Sequence, residues 1–394
     1  MGKQEARAAV WLTSLSVGLY WISLYLYVPT LPIYTQQLTS DLAMVGTVLS
    51  QYGLWQAVIR LPLGIASDRI GLRKPFIFLG FALSGLGAWL MGSAETVNGV
   101  LVGRAVTGFA AGSWVVMVVA FSNLFPLKDA VRATALLTLV NSASRVLATG
   151  VTGVINDWGG YRLAFWLSAI TAGAAALAYL PVKEQRQSKT LPTFWETGSL
   201  LIRRDVLLPA ILNAVTQYAA YATTFGFLPI LAKQLGASNV AQSLLVSMNI
   251  AMGLAGNLAT TSLVRRMGSR SLVLAGFMFI ATGIVALWLA DSVVYIFIAQ
   301  ILLGFGGGMA YPTLMGMSIE HVEGAARSTA MGLHQAVYAL GMFGGPWLSG
   351  ILADWMGVQA MFAVTAVVIL VSGLWGYRMM RQKPIAVVVN TKAG

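Results

Sequence analysis

Apolar residues in this chain fall into long runs, mostly about 20 residues each, separated by short polar segments. A helix rises about 1.5 Å per residue, so about 20 residues cross a hydrocarbon core of about 30 Å. The pattern predicts twelve spanning helices, over about 9–29, 44–66, 75–92, 98–121, 132–155, 162–180, 207–229, 240–263, 272–290, 293–316, 328–351 and 359–379. The stretch 182–205 is polar and has no apolar run long enough to span. It divides the chain into an N-terminal six-helix bundle (1–181), a linker (182–205) and a C-terminal six-helix bundle with a short tail (206–394). The expected fold is an all-α membrane protein of two pseudo-symmetric bundles.

The two sets of spans look like copies. The polar hinge Gly64-Ile-Ala-Ser-Asp68-Arg69-Ile-Gly71-Leu-Arg73-Lys74 returns 197 residues later as Thr261-Ser-Leu-Val-Arg265-Arg266-Met-Gly268-Ser-Arg270. At the same offset Pro32 matches Pro229, Gln37 matches Gln234, and Ser50 matches Ser247. Asp157-Trp158 matches Asp354-Trp355. Six spans per copy give both copies one orientation, so the repeats should be parallel, related by an axis along the membrane normal.

Charge fixes the orientation. Of the 25 Lys and Arg residues, twenty fall on the side shared by the two termini. Only Arg162 and Lys233 fall opposite, and Arg60, Arg104 and Arg145 lie within spans. This bias puts both termini in the cytoplasm of a cytoplasmic membrane. It also accounts for the formal net charge of +12 without nucleic acid. Hydrophobic residues are 57% of the chain and charged residues 10%, far below the roughly 25% of soluble domains. The N-terminus shows no cleavable signal, so the first run is expected to stay as a membrane helix. The absence of cysteine rules out disulfides and thiolate chemistry.

The hinge carries a resemblance. Gly64, Asp68, Arg69, Gly71, Arg73 and Lys74 resemble the G-x-x-x-D-R-x-G-R-K signature of the major facilitator superfamily, in the loop between spans two and three. Leu101-x-x-Arg104-x-x-x-Gly108-x-x-x-Gly112 on span four resembles a second motif of that family, and Pro29-x-x-Pro32 is similar to its drug-exporter branches. The exporter motif G-x-x-x-G-P-x-x-x-G, expected on span five, lacks its proline there, at Ala148–Gly153. A better copy lies on span eleven, Gly341–Gly350 with Pro346. The resemblance implies that Asp68 pairs with arginine and caps a neighbouring helix end, latching the halves when the site faces outward. Otherwise Asp68 is a solvated loop carboxylate beside Arg69 and Arg73. The second copy has Arg265 in its place, so any latch is asymmetric.

Buried charge narrows the chemistry. An arginine at a helix centre costs about 2.5–3.5 kcal/mol on insertion scales, so Arg104 and Arg145 should face a cavity or a partner. Both sit about one third of the way in from the outer face. Arg104 could instead bond carbonyls of a neighbouring helix. All thirteen acids map to loops, tails or span ends, an unusual pattern for an exporter of cations. His334 on span eleven, Asp68, Glu320 and Glu323 are the groups open to proton coupling. His334 is equally readable as a hydrogen-bonded packing residue. Spans one and seven, which line the central cavity in the resembled family, offer Tyr20, Trp21, Tyr25, Gln217, Tyr218 and Tyr221. Gln300 on span ten stands near the repeat of Arg104, and Tyr338 lies one turn beyond His334.

The expected function is secondary active transport of a small amphipathic organic compound by alternating access, as efflux, with a neutral or anionic rather than a cationic substrate. Protons are a candidate coupling ion. The alternatives are uptake or facilitated passage of an organic anion or sugar and, from another class, a lipid flippase or a membrane-embedded enzyme. An enzyme would need a clustered polar site, and the chain has only His321 and His334 and no P-loop. No enzymatic activity, cofactor, metal or nucleic acid is expected. The expected partners are a small molecule and membrane lipid, and the expected state is a monomer.

Overall fold

Two helix starts set the frame. The Asp41 carboxylate accepts a hydrogen bond from Met44 N at 2.9 Å, and the Ser238 hydroxyl accepts one from Ala241 N at 3.2 Å. Each satisfies an amide that the first turn of a helix leaves free. The helices they open, Leu42–Ile70 and Asn239–Met267, begin and end 197 residues apart. Both stop at glycines with positive φ, Gly71 at 71° and Gly268 at 75°, a conformation that side chains with a Cβ rarely adopt. Gly160 and Gly357, at φ 73° and 86°, repeat at the same offset.

The computed structural model describes residues 3–126, 129–184, 203–322 and 326–380. In chain order the helices are α1 (Lys3–Tyr25), α2 (Leu31–Gln36), α3 (Leu42–Ile70), α4 (Lys74–Gly92), α5 (Val97–Gly112), α6 (Trp114–Ser122) and α7 (Ala130–Tyr179). After residue 203 come α8 (Arg204–Ala222), a π-helical turn (Thr223–Phe227), α9 (Leu228–Gln234), α10 (Asn239–Met267), α11 (Ser269–Trp288), α12 (Val293–Ile319), α13 (Ala326–Met356) and α14 (Val358–Met379). No strand occurs among the described residues.

Ten helical stretches among the described residues are long and apolar enough to cross a membrane. The expected twelve runs differ from these in two places. The runs at 132–155 and 162–180 lie in one helix, α7, which is bent where Gly159 and Gly160 leave helical φ/ψ. The run at 207–229 is spread over α8, the π-turn and α9, and is not one of the ten. The fourth run spans as Val97–Ser122, with a single non-helical residue at Ser113, whose hydroxyl donates to Ala110 O at 2.7 Å. Residues 185–202 of the expected linker, and Glu323, lie outside the described residues. The flanks of that linker are tied down rather than free. Glu184 accepts from the amides of Arg73 and Lys74 and so caps α4. Lys74 Nζ donates to Leu180 O and Val182 O at 2.7 Å each. At the other flank Arg203 bonds Asp205 and His321 O.

The two halves of the chain meet along two equivalent helix pairs. α3 runs antiparallel to α13, with Gly46 against Gly350, Gly53 against Met342 and Phe343, and Arg60 bonded to Tyr338. α7 meets α10 through Gly153 against Asn239 and Val240, and Ser247 Oγ donates to Val146 O at 2.9 Å. A Cβ on Gly350 would stand 2.8 Å from Leu42 O, and one on Gly153 would stand 2.5 Å from Val240 Cα. Neither position has room for a side chain. The repeated aspartates complete these contacts: Asp157 accepts from Asn239 Nδ2 at 2.7 Å, and Asp354 accepts from Leu42 N at 3.2 Å. Gly153 and Gly350, Asp157 and Asp354, and Leu42 and Asn239 are each 197 apart. This is the far end of the molecule, opposite the face that carries Glu5, the Gly71–Arg73 turn and Glu184. Toward that termini face α3 and α13 diverge, and a Cβ on Gly64 or Gly332 would meet nothing within 4 Å. Trp158 and Trp355 stand 82% and 80% exposed at the far end, as in the aromatic belts of membrane proteins.

Two outcomes follow from this packing. Gly153→Val or Gly350→Val should open the far end, because overpacking costs about 1–3 kcal/mol. A cysteine placed at Ala220 on the cavity wall should then react with impermeant maleimide added from the far side, and unchanged protection would contradict the packing. Glu184→Ala should lower the thermal unfolding midpoint in detergent, since hydrogen bonds to a charged group contribute about 1.5–3 kcal/mol. An unaltered midpoint would show that the α4 cap carries no stability.

Candidate functional site

Because the halves touch at the far end and part toward the termini face, a cavity of about 510 Å³ lies between them. Its walls come from α1, α3, α6 and α7 on one side and α8, the π-turn, α10, α12 and α13 on the other. Among the described lining residues the charged ones are Arg60 and Arg145, and none is acidic. The Arg145 guanidinium lies 4.2 Å over the Tyr25 ring and 5.9 Å from Trp21, a favourable arrangement for a cation on an aromatic face. Arg60 Nη1 donates to the Tyr338 hydroxyl at 2.6 Å, and Tyr338 packs edge-on against Tyr311 at 5.7 Å.

The floor of the cavity is aromatic. Tyr25 meets Phe225 at 6.1 Å, Phe225 meets Tyr221 at 5.1 Å, and Tyr221 stacks on Tyr52 at 6.3 Å. The rings come from α1, α3, α8 and the π-turn, so both halves of the chain contribute to the closure. The π-turn brings Phe225 to the floor, with Thr223 and Thr224, both buried, beside it in the cavity lining. Beneath the floor is a smaller void, and Arg104 lies there, 4.3 Å over the other partner in this closure, the Tyr52 ring. Arg104 is 3% exposed, and its Nε and Nη1 have no hydrogen-bond partner among the described residues.

Of the residues expected at the site, Trp21, Tyr25, Arg145, Gln217, Tyr221 and Tyr338 line the cavity. The others lie elsewhere, each for a visible reason. Arg104 is shut off by the aromatic floor. The Tyr20 hydroxyl reaches away from the cavity to Ala110 O at 2.5 Å and Ser113 Oγ at 3.2 Å, fastening α1 to α5. Tyr218 is not among the lining residues; its backbone carbonyl lies against Gly345 of α13. Gln300 accepts from Thr224 Oγ1 and Asn249 Nδ2, both at 2.9 Å, behind the wall. His334 is fully buried between Asn213 and Ser318, at 2.7 Å from each. That enclosure matches the packing reading of His334.

The hinge is assembled within the first half of the chain. Asp68 pairs with Arg73 at 3.0 Å, and the Arg73 side chain is 4% exposed. Among the described residues Asp68 makes no bond to the second half. Beside it, Glu184 caps the start of α4 in the same half. Gly71 makes the turn, Gly64 borders open space, and Arg69 is exposed. Arg60, Asn141, Trp114 and Gln335 line the cavity and were not expected there. Arg60 was legible: it is a third cation inside an apolar run, and the cost argument used for Arg104 applies to it equally. The amides have no comparable signal. No group of three or more His, Cys, Asp or Glu that could hold a metal occurs among the described residues.

Known proteins share this architecture. The model of the Major Facilitator Superfamily matches residues 13–215 and again 210–392. An uncharacterized MFS-type transporter of Methanocaldococcus jannaschii is 23% identical over 393 residues, covering 96% of this chain and 99% of that protein. The multidrug resistance protein MdtG of Escherichia coli is 23% identical over 382 residues, covering 93% of this chain and 92% of that protein. In fold, the chain is similar to a bacterial homologue of the human lysosomal transporter Spinster in an inward-facing, unoccupied conformation. That match has a TM-score of 0.82 at 14% identity and covers 97% of this chain and 98% of the other. The match of one family model to each half in turn, on a helical frame repeated at 197 residues around a shared cavity, leads to one conclusion: the chain is a multi-pass membrane transporter and belongs to the major facilitator superfamily.

Proposed function

We propose that this chain exports a small amphipathic organic compound, neutral or anionic rather than cationic, from the cytoplasm by alternating access. It crosses the cytoplasmic membrane twelve times: α7 crosses twice about Gly159–Gly160, and the unit from α8 through α9 crosses once. Both termini, the 185–202 linker and the basic hinge lie in the cytoplasm, and the bundles 1–181 and 206–394 move as units. On this reading the cavity faces inward and Asp68 is in the unlatched state. The observation that carries the proposal is the cavity itself, which is closed at the far end by backbone-to-backbone contact, floored by aromatic rings and lined by arginine without any described acid. Aromatic walls with a few polar groups suit an amphipathic guest. Likeness over nearly the full length to a multidrug resistance protein favours export.

The test is flux in proteoliposomes of known orientation under an imposed pH gradient, with amphipathic anions, neutral compounds and cations compared. Export of neutral or anionic compounds, with a dependence on the gradient, is the expected result. Full-rate carriage of a monovalent cation by the unaltered chain would contradict the substrate assignment. Accumulation running only toward the termini face would contradict export.

A further inference from the structure

We infer that the cavity recognises an organic monoanion, with its acidic head on Arg145 and Asn141 and its ring system against Trp21, Trp114 and Phe225. The inference deepens the transport reading and rests on it for physiological meaning, though not for its test.

Among the described residues Arg145 is the cavity cation that is available. Its side chain donates no hydrogen bond to any described residue, and its Nε is buried without a partner. It lies over the faces of Tyr25 and Trp21. Arg60, by contrast, already donates to Tyr338. A guanidinium left without an acceptor in a water-poor setting is costly, and a carboxylate or sulfonate satisfies it through two parallel bonds. Asn141 lies four residues before Arg145 on α7, one turn along the same face. It also lines the cavity. Its Nδ2 can donate a further hydrogen bond to an anion held by Arg145.

The repeat shows that this charge is specific to one half. At the 197 offset Arg60, Arg104 and Arg145 become Asn257, Ile301 and Met342. Asn257 and Met342 also line the cavity. The second half thus keeps the scaffold and drops every buried cation of the first. Neutral groups such as Gln217 and Gln335 are what it presents instead. One free guanidinium on one wall, faced by neutral polar groups, fits a guest with a single negative charge at one end.

Three probes of one shape decide it: 1-naphthoate, 1-naphthylmethanol and 1-naphthylmethylammonium. Their binding to the full chain in detergent can be read by quenching of tryptophan, since Trp21 and Trp114 line the cavity, and checked by calorimetry. Naphthoate should bind at least about ten times tighter than the alcohol, a gap that one bidentate ion pair supplies, and the ammonium should bind weakest. Arg145→Gln should erase the gap while leaving alcohol binding intact, and Arg145→Lys should restore part of it. Asn141→Leu should narrow it, and Arg60→Gln should change it less than Arg145→Gln does. Alcohol or ammonium binding equal to naphthoate would overturn the proposal. So would a gap that survives in Arg145→Gln, or a lack of saturable naphthoate binding. Saturable, Arg145-dependent binding without flux in vesicles would uphold the anion site and count against the transport reading instead.

Discussion

The halves of this molecule come into backbone contact where at least one helix offers a glycine. Gly46 lies against Gly350, and Gly153 against the first residues of α10. In a membrane there is little hydrophobic drive to press helices together, because lipid tails are as apolar as the side chains. Close backbone approach over small residues supplies the contact instead. Everything else in the site depends on where that approach occurs. It holds the far end shut through two equivalent contacts and lets α3 and α13 spread toward the termini face, which produces a cavity open on one side. The bonds of Asp157 and Asp354 add direction to the same contacts: each acid reaches the start of a helix in the opposite half. A helix start is where a negative charge is best placed.

Charge is the second constraint. The membrane interior penalises every unpaired ion, so each one kept there needs a reason. This chain keeps three arginines in its first half and resolves them differently. Arg60 is bonded across to Tyr338, Arg104 rests on Tyr52 beneath an aromatic floor, and Arg145 lies on Tyr25 with its hydrogen-bonding capacity unused. The graded exposure of these cations, from sealed to open, turns a packing problem into a site. The symmetric scaffold and the asymmetric charge are therefore separable features. On the proposed reading, the scaffold serves the movement of two like halves and the charge serves recognition by one of them.

Much of the scaffold was legible from apolar runs and the 197-residue offset, because both express single-helix physics. The membrane sets the run length, and duplicated turns keep their glycines, as Gly71 and Gly268 show. What stayed hidden depends on rotation about helix axes and on distant partners. Arg104 and Arg145 were expected at one level, but nothing in a run of letters says that an aromatic floor separates Arg104 from the cavity. Tyr20 was a candidate by position, yet its hydroxyl points to a neighbouring helix. Glu184 caps a helix that starts 110 residues earlier, and Asp157 was visible only as a mark of the repeat. Its partner, in the other half, has no local signal. The break at Ser113 was also hidden, since neither proline nor a charge marks it, and the π-turn at Thr223–Phe227 had only Pro229 after it as a sign.

The claim on which the rest stands is that the two ends of the interface open in alternation. The chain has no cysteine, so spin labels can be placed in pairs without removing native residues. One pair at Ser40 and Trp355 reports the far end, and one at Arg69 and Met267 reports the termini face. Pulsed electron resonance in liposomes gives both distances as substrate and pH are varied. Alternation predicts that the far-end distance lengthens whenever the termini-face distance shortens, and the reverse. Distances that lengthen together, or a far end that never opens while flux proceeds, would contradict it.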